Sequence, residues 1–214
     1  MFTGIVEEIG TIESIQHLKD SARISIRASR IMSDMHVGDS IAVNGICLTV
    51  TSFSDNVFYV DAMHETLRRS SLSEMRNGTH VNLERAMASN GRFGGHIVSG
   101  HIDGTGRIRN IYKDGIAVWY EINADPSIIH YIVKKGSVAV DGISLTVAAV
   151  GTDFFSVSTI PHTNAFTTLN ERKKGDTVNL ENDIVGKYVE HFLTDQKPES
   201  KQGLTEEFLA KCGF

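Results

Sequence analysis

Apolar and polar residues alternate in short runs through most of the chain, at the period of two expected of half-buried strands. In the first half this pattern predicts strands near Ile5–Ile15, Ala22–Ala28, Ser40–Val43, Ile46–Phe53, Val57–Ala62 and Thr79–Leu83. The second half predicts six more, near Ile97–Ile111, Ile116–Ile122, Val138–Val140, Ile143–Val150, Phe154–Ile160 and Thr177–Leu180. Asn44-Gly45 and Asp141-Gly142 each lie between apolar residues and tolerate positive φ, so each predicts a two-residue hairpin joining strands three and four. Asp125-Pro126 predicts a helix start, with the helix running to about Val133 and a counterpart from Ser29 to about His36. Beyond Asp183 the period lengthens. Ile184, Val185, Tyr188, Val189, Phe192 and Leu193 form the stripe of an amphipathic helix, which packs on its own barrel or makes an oligomer contact. The polar stretch from Thr194 to Gln202 reads as a linker, and Thr205 to Cys212 as a short helix capped by Thr205.

The two sets of strands are copies. Ser40-Ile41-Ala42-Val43-Asn44-Gly45-Ile46-Cys47-Leu48-Thr49-Val50 returns 97 positions later around Val138-Ala139-Val140-Asp141-Gly142-Ile143-Ser144-Leu145-Thr146-Val147. The same shift carries Thr66 onto Thr163 and Val81-Asn82-Leu83-Glu84 onto Val178-Asn179-Leu180-Glu181. A long unit present only twice indicates two similar domains, since a solenoid needs at least about three short ones. The predicted organisation is a first barrel over 1–96, a second over 97–183, and a C-terminal helix and tail over 184–214. Six short strands per copy suit an all-β architecture of two closed antiparallel barrels, because closure removes exposed edges.

Strand parity then nominates residues. Leu48 and Val50 share one face and must fill a barrel, which turns Cys47 and Thr49 outward; Leu145 and Val147 likewise turn Ser144 and Thr146 outward. Small polar groups on such a wall can hydrogen-bond a ligand lying against it, or they are simply the solvated exterior of a barrel. Where the copies differ, chemistry can differ: His101 falls opposite Ile5, and Ser144 opposite Cys47. Two sites that hold the same molecule but carry different reactive groups could act as donor and acceptor.

Composition narrows the field. The formal charge of −5 is spread without a basic block, which argues against nucleic acid or membrane. Two cysteines are too few for a disulfide framework, and no run reaches the ~18 apolar residues of a membrane span, so a cytoplasmic protein is expected. The Gly94-Gly95-His96 to His101-Ile102-Asp103-Gly104 segment pairs two histidines with many glycines, yet lacks ligands at usual zinc spacing, so no metal is expected. Its glycines fit a crossover between barrels and a close backbone approach to ligand, and Asp103-Gly104-Thr105-Gly106 reads as a bulge within a strand. With no phosphate loop, dinucleotide fingerprint, C-x-x-C or H-E-x-x-H, cofactor-free chemistry on a small heterocycle remains.

Met1-Phe2-Thr3-Gly4-Ile5-Val6, the two hairpin blocks, Gly94-Gly95-His96 to Gly100-His101 and Gly186-Lys187-Tyr188 together resemble the riboflavin synthase family of the α-chain type, over essentially the whole chain. The resemblance implies Greek-key barrels, a homotrimer held by C-terminal helices, no cofactor, and dismutation of two 6,7-dimethyl-8-ribityllumazine molecules. It implies a first-barrel pocket of Phe2, Gly4, Ile5, Val6, Ser40, Cys47, Thr49, Ala62, Met63, Glu65 and Thr66. It implies a second-barrel pocket of Gly100, His101, Ile102, Lys135, Ser144, Thr146, Ile160, Thr163 and Asp183. Backbone groups of Leu48, Leu145 and Ile160-Pro161-His162-Thr163-Asn164 would read the ring and ribityl chain, with His64 and His162 in the adjoining loops. His101 is the implied proton-transfer group, Ser144 with Thr146 the implied activator of a nucleophile, and Cys47 the matching group of the other copy. Association with lumazine synthase stays open. Non-catalytic lumazine-binding proteins of the same fold are the alternative; they erode the second-barrel motif that this chain retains.

Overall fold

The structure is a computed structural model and describes residues 1–195 and 210–211. The first barrel comprises β1 (Glu8–His17), β2 (Ser21–Arg27), β3 (Ser40–Val43), β4 (Ile46–Ser54), β5 (Val57–Met63) and β6 (His80–Arg85), closed in the order β1-β2-β5-β4-β3-β6. The second comprises β7 (Gly104–Asp114), β8 (Ala117–Asn123), β9 (Ser137–Val140), β10 (Ile143–Val150), β11 (Phe154–Thr159) and β12 (Thr177–Asn182) in the equivalent order. All pairs are antiparallel, and even the bulges repeat: those at Ile12/Ser14 and Val50/Ser52 return at Ile108/Asn110 and Val147/Ala149.

Short helices α1 (His64–Arg69), α2 (Pro126–Ile129) and α3 (Pro161–Ala165) sit between strands, and α4 spans Ile184–Asp195. Three expectations change. The helix from Asp125 is one turn long, with the Asp125 carboxylate accepting from Ser127 N, and its counterpart is a 3-10 turn over Arg30–Asp34. Ser29 does not cap that turn, because its N–H and hydroxyl both donate to Glu8. Thr194 and Asp195 belong to α4; the rest of the expected linker, and the expected 205–212 helix apart from 210–211, lie outside the described residues.

Each barrel has its own core. Ile24, Ile26, Phe58, Val60 and Leu83 fill the first, and Ile122, Phe155, Val157, Val178 and Leu180 the second. Residues 1–184 form one compact unit and 185–214 another. In the second, Val185, Tyr188, Val189, Phe192 and Leu193 are exposed along α4, with Tyr188 and Phe192 stacked at 6.3 Å.

The barrels meet back to back through the hairpin turns. Asn44 and Asp141 hold φ of 45° and 46°, and Gly45 and Gly142 follow at 81° and 77°. A Cβ on Gly45 would lie 2.8 Å from the Gly142 nitrogen, so the two turns touch only because both are glycine. Asn82 donates to the Asp141 carbonyl and accepts from Thr168 N, while Asn179 donates to the Asn44 carbonyl and accepts from Ser71 N. Each asparagine thus satisfies backbone groups of the other barrel in an interface with little access to water.

The leading segments exchange. Gly4 O accepts from Ser144 N at 2.8 Å and Val6 packs against the second core; Gly100 O accepts from Cys47 N at 2.9 Å and Ile102 packs against the first. Phe2 and Val98 bridge each other between the barrels, fully buried with Ala42 and Ala139. This crossing is why β1 and β7 start at Glu8 and Gly104, later than the alternation implied. It also corrects the expected bulge, since Gly104 opens β7 and the bulge lies at Ile108/Asn110.

One asymmetry tests the interface. Asp141 is fully buried, with Oδ1 accepting from Asn179 N and Oδ2 from the Arg172 guanidinium at 2.6 Å. Burial pushes the Asp141 carboxyl up, and the guanidinium opposes it. The corresponding residues of the first copy are Asn44 and Met75. Arg172→Met alone is expected to cost about 3–5 kcal/mol by stranding the carboxylate, and adding Asp141→Asn to recover most of it. Denaturant unfolding of the single and double variants checks this.

Candidate active site

The pleat of β4 buries Leu48 and Val50 and leaves Cys47 half-buried and Thr49 exposed. In β10, Leu145 and Val147 are buried, Ser144 is half-buried and Thr146 exposed. Over each wall lies the segment from the opposite copy. Two buried carboxylates hold those segments: Glu84 accepts from Thr3 N, Thr3 Oγ1 and Gly4 N at 2.7, 2.7 and 3.0 Å. Glu181 accepts from Ser99 N, Ser99 Oγ and Gly100 N at 2.6, 2.7 and 3.0 Å. Burial pushes both carboxyls up, while the hydrogen bonds pull them back toward the ionised form.

The expected grouping is therefore corrected. Gly4, Ile5 and Val6 were expected on the first barrel but approach Ser144 and the second core; Gly100, His101 and Ile102 run instead beside Cys47 and the first core. His101 is exposed, on the Cys47 side, and is not grouped with Ser144. The shared shift of 96 or 97 aligned the segments with their own barrels, and nothing in an alternation pattern reveals an exchange.

Other expected residues divide by exposure. Met63, His64 and Glu65 are exposed at the start of α1, where Glu65 pairs with Arg69 and with Arg68 at 3.1 Å, and Thr66 is half-buried. The Arg69 hydrogen bond holds the Glu65 carboxyl below its usual range. Ile160, Pro161 and His162 are exposed at the start of α3, and Thr163 is half-buried. Asn164 is buried and accepts from the Tyr120 hydroxyl at 2.9 Å. Lys135 is exposed at φ 68°, left-handed where the first copy has Gly38, a strain borne by an ordinary residue. Ala62 and Phe2 do not face outward: Ala62 is in the first core and Phe2 between the barrels, because both are packed on all sides. A cavity of about 490 Å³ beside Glu84 and Arg85 includes only Ile5 and Ser40 of the expected residues, so it lies beside the walls. Among the described residues no group of three or more His, Cys, Asp or Glu is placed to hold a metal ion, and no helix is long and apolar enough to cross a membrane.

Residues 3–86 and 99–183 each match the lumazine binding domain. Over 216 residues, covering all of both chains, the sequence is 55% identical to riboflavin synthase of Actinobacillus pleuropneumoniae. The chain belongs to the riboflavin synthase family. It is 49% identical to the riboflavin synthase of Bacillus subtilis, again over all of both chains, and 43% identical to that of Schizosaccharomyces pombe over 90% of this chain and 94% of that one. Among solved structures, LumP complexed with 6,7-dimethyl-8-(1'-D-ribityl) lumazine matches with a TM-score of 0.78 at 25% identity, covering 85% of this chain and 99% of that one. The LumP complex with riboflavin matches with a TM-score of 0.79 at 26% identity over the same shares.

Within this member of the riboflavin synthase family, one residue outside the expected set stands beside Ser144. His96 is buried, and its Nδ1 lies 2.7 Å from Ser144 Oγ. Burial pushes the imidazole pKa down, and the charge of Asp183 opposes this, so an expected site residue is electrostatically coupled to it. The signal was legible in Gly94-Gly95-His96, a histidine beside glycines, but its pairing with Ser144 is a contact between distant residues that the strand alternation does not show.

The exchange requires glycine where the segments touch the walls. Gly4 and Gly100 hold φ of 76° and 83°, and a Cβ there would lie 2.6 Å from Ser144 Cβ and 2.5 Å from Cys47 Cβ. Gly4→Ala or Gly100→Ala is expected to cost about 2–5 kcal/mol, left-handed strain plus overpacking. Gly38→Ala, with φ 96° and nothing within 4 Å, should cost only the strain, about 1–2 kcal/mol. Unfolding free energies of the three variants decide this.

Proposed function

We propose that this member of the family converts two molecules of 6,7-dimethyl-8-ribityllumazine into riboflavin and 5-amino-6-(D-ribitylamino)uracil by passing a four-carbon unit from one to the other. The two products together contain the atoms of the two substrates, so the exchange needs no oxidant or reductant. Full-length identity of 55% to a riboflavin synthase carries this reading, and the two equivalent outward walls support it by offering two places for one kind of molecule.

One wall combines Cys47 and Thr49 with Gly100, His101 and Ile102; the other combines Ser144 and Thr146 with Gly4, Ile5 and Val6. The two rings meet when the first-barrel wall of one subunit faces the second-barrel wall of a neighbour in a homotrimer, and the exposed apolar stripe of α4 suits the contact. The enzyme works in the cytoplasm.

The 7-methyl group of the lumazine is acidic because its carbanion delocalises into the ring. A modest base then suffices, and His101 is the group assigned to it. Alignment of two ordered partners contributes ~7–11 kcal/mol, whereas one general base contributes ~10²–10⁴-fold. Binding without turnover, as in a lumazine-carrying protein, is disfavoured because LumP is related at 25% identity and the synthases at 41–55%.

Incubation of the purified protein with 6,7-dimethyl-8-ribityllumazine alone is expected to give one riboflavin per two lumazines consumed. Tight binding with no product would refute the enzymatic reading, and another ratio would refute dismutation. His101→Gln should lower kcat by roughly 10–100-fold while leaving riboflavin binding nearly unchanged.

A further inference from the structure

Resting on that functional reading, we infer that His96 is a positioning residue for Ser144: its Nδ1–H holds the serine oxygen and turns the hydroxyl hydrogen outward, as a donor to the heterocycle on the second barrel's wall. The acceptor it suits is a carbonyl oxygen or an unprotonated ring nitrogen.

Three observations carry this. His96 is 7% exposed with Nδ1 2.7 Å from Ser144 Oγ, so the pair is made within the protein. The serine is caged as well as bonded. A Cβ on Gly95 would lie 2.9 Å from Ser144 Cβ, 3.0 Å from its Oγ and 2.0 Å from Thr3 O, which brings the histidine's own segment against the serine. Finally, His96 Nε2 is buried and has no hydrogen-bond partner among the described residues.

The third observation selects the tautomer. A neutral imidazole has one N–H and one lone pair, and a buried N–H lacking an acceptor is rarer than an under-satisfied acceptor. The proton therefore sits on Nδ1, where Ser144 Oγ accepts it, and Nε2 is the bare lone pair. Burial favours the neutral ring despite the charge of Asp183. With its oxygen already engaged, the serine has its O–H free for the ligand.

The first barrel's wall carries Cys47 at the position of Ser144, and its thiol is a weak donor. The two bound heterocycles thus meet unlike donors at equivalent positions: a fixed hydroxyl on one wall and a thiol on the other. That difference polarises one ring more than the other while leaving the rest of the recognition alike.

The tautomer is read directly from the ¹⁵N shifts and couplings of histidine-labelled, unsubstituted protein, with the His96→Asn spectrum assigning the signal. Nδ1 protonated and Nε2 bare is the expected result; the reverse would overturn the inference, whether or not any variant folds well. In turnover, His96→Asn keeps an amide N–H near Nδ1 and should stay within about 5-fold of the parent kcat, whereas His96→Ala should lose roughly 10–100-fold in kcat with KM changed less than about 3-fold. Equal loss in both variants would make His96 a proton acceptor instead, and loss in KM alone would make it a structural residue. Absence of turnover by the unsubstituted protein would fail the functional reading, while the tautomer would still be read independently.

Discussion

Two buried carboxylates decide where everything else stands. Glu84 and Glu181 each gather two backbone N–H groups and one hydroxyl from the leading segment of their own copy, and so fix the point at which that segment turns toward the other barrel. An ionised carboxylate taken out of water is costly unless donors replace its hydration, and three short hydrogen bonds to each do so. They act together with the bonds from Ser144 N to Gly4 O and from Cys47 N to Gly100 O, which seat each segment on the opposite wall.

The interface between the barrels combines near-symmetry with a few deliberate departures. Asn82 and Asn179 make the same two bonds in mirror roles, and Gly45 and Gly142 exclude side chains from the same contact. Against that background Asn44 with Met75 becomes Asp141 with Arg172, a neutral arrangement replaced by an ion pair. On the walls Cys47 becomes Ser144, whose hydroxyl is paired with His96. The shared residues build a scaffold that can hold one kind of molecule twice. The unshared ones are where two equal sites become unequal.

Much of this was legible in the chain. The alternation located all twelve strands, the Asn44-Gly45 and Asp141-Gly142 turns and the inward faces of Leu48, Val50, Leu145 and Val147, because strand period and turn chemistry are local properties. The starts of β1 and β7 were misplaced since Val6 and Ile102 are apolar for the sake of the other barrel, a nonlocal cause with a local appearance. Phe2 and Ala62 were expected among the pocket residues and are buried, since a resemblance names residues while burial depends on what packs against them. His96 was visible as a histidine among glycines, yet its pairing with Ser144 depends on the crossing and could not be read beforehand.

The most direct measurement is a crystal structure with riboflavin bound at both walls. Ligand on the first barrel should touch Cys47 and Thr49 together with Gly100–Ile102, and ligand on the second should touch Ser144 and Thr146 together with Gly4–Val6. A ligand held between Cys47 and Gly4–Val6, or between Ser144 and Gly100–Ile102, would contradict the account that each wall is assembled from both copies.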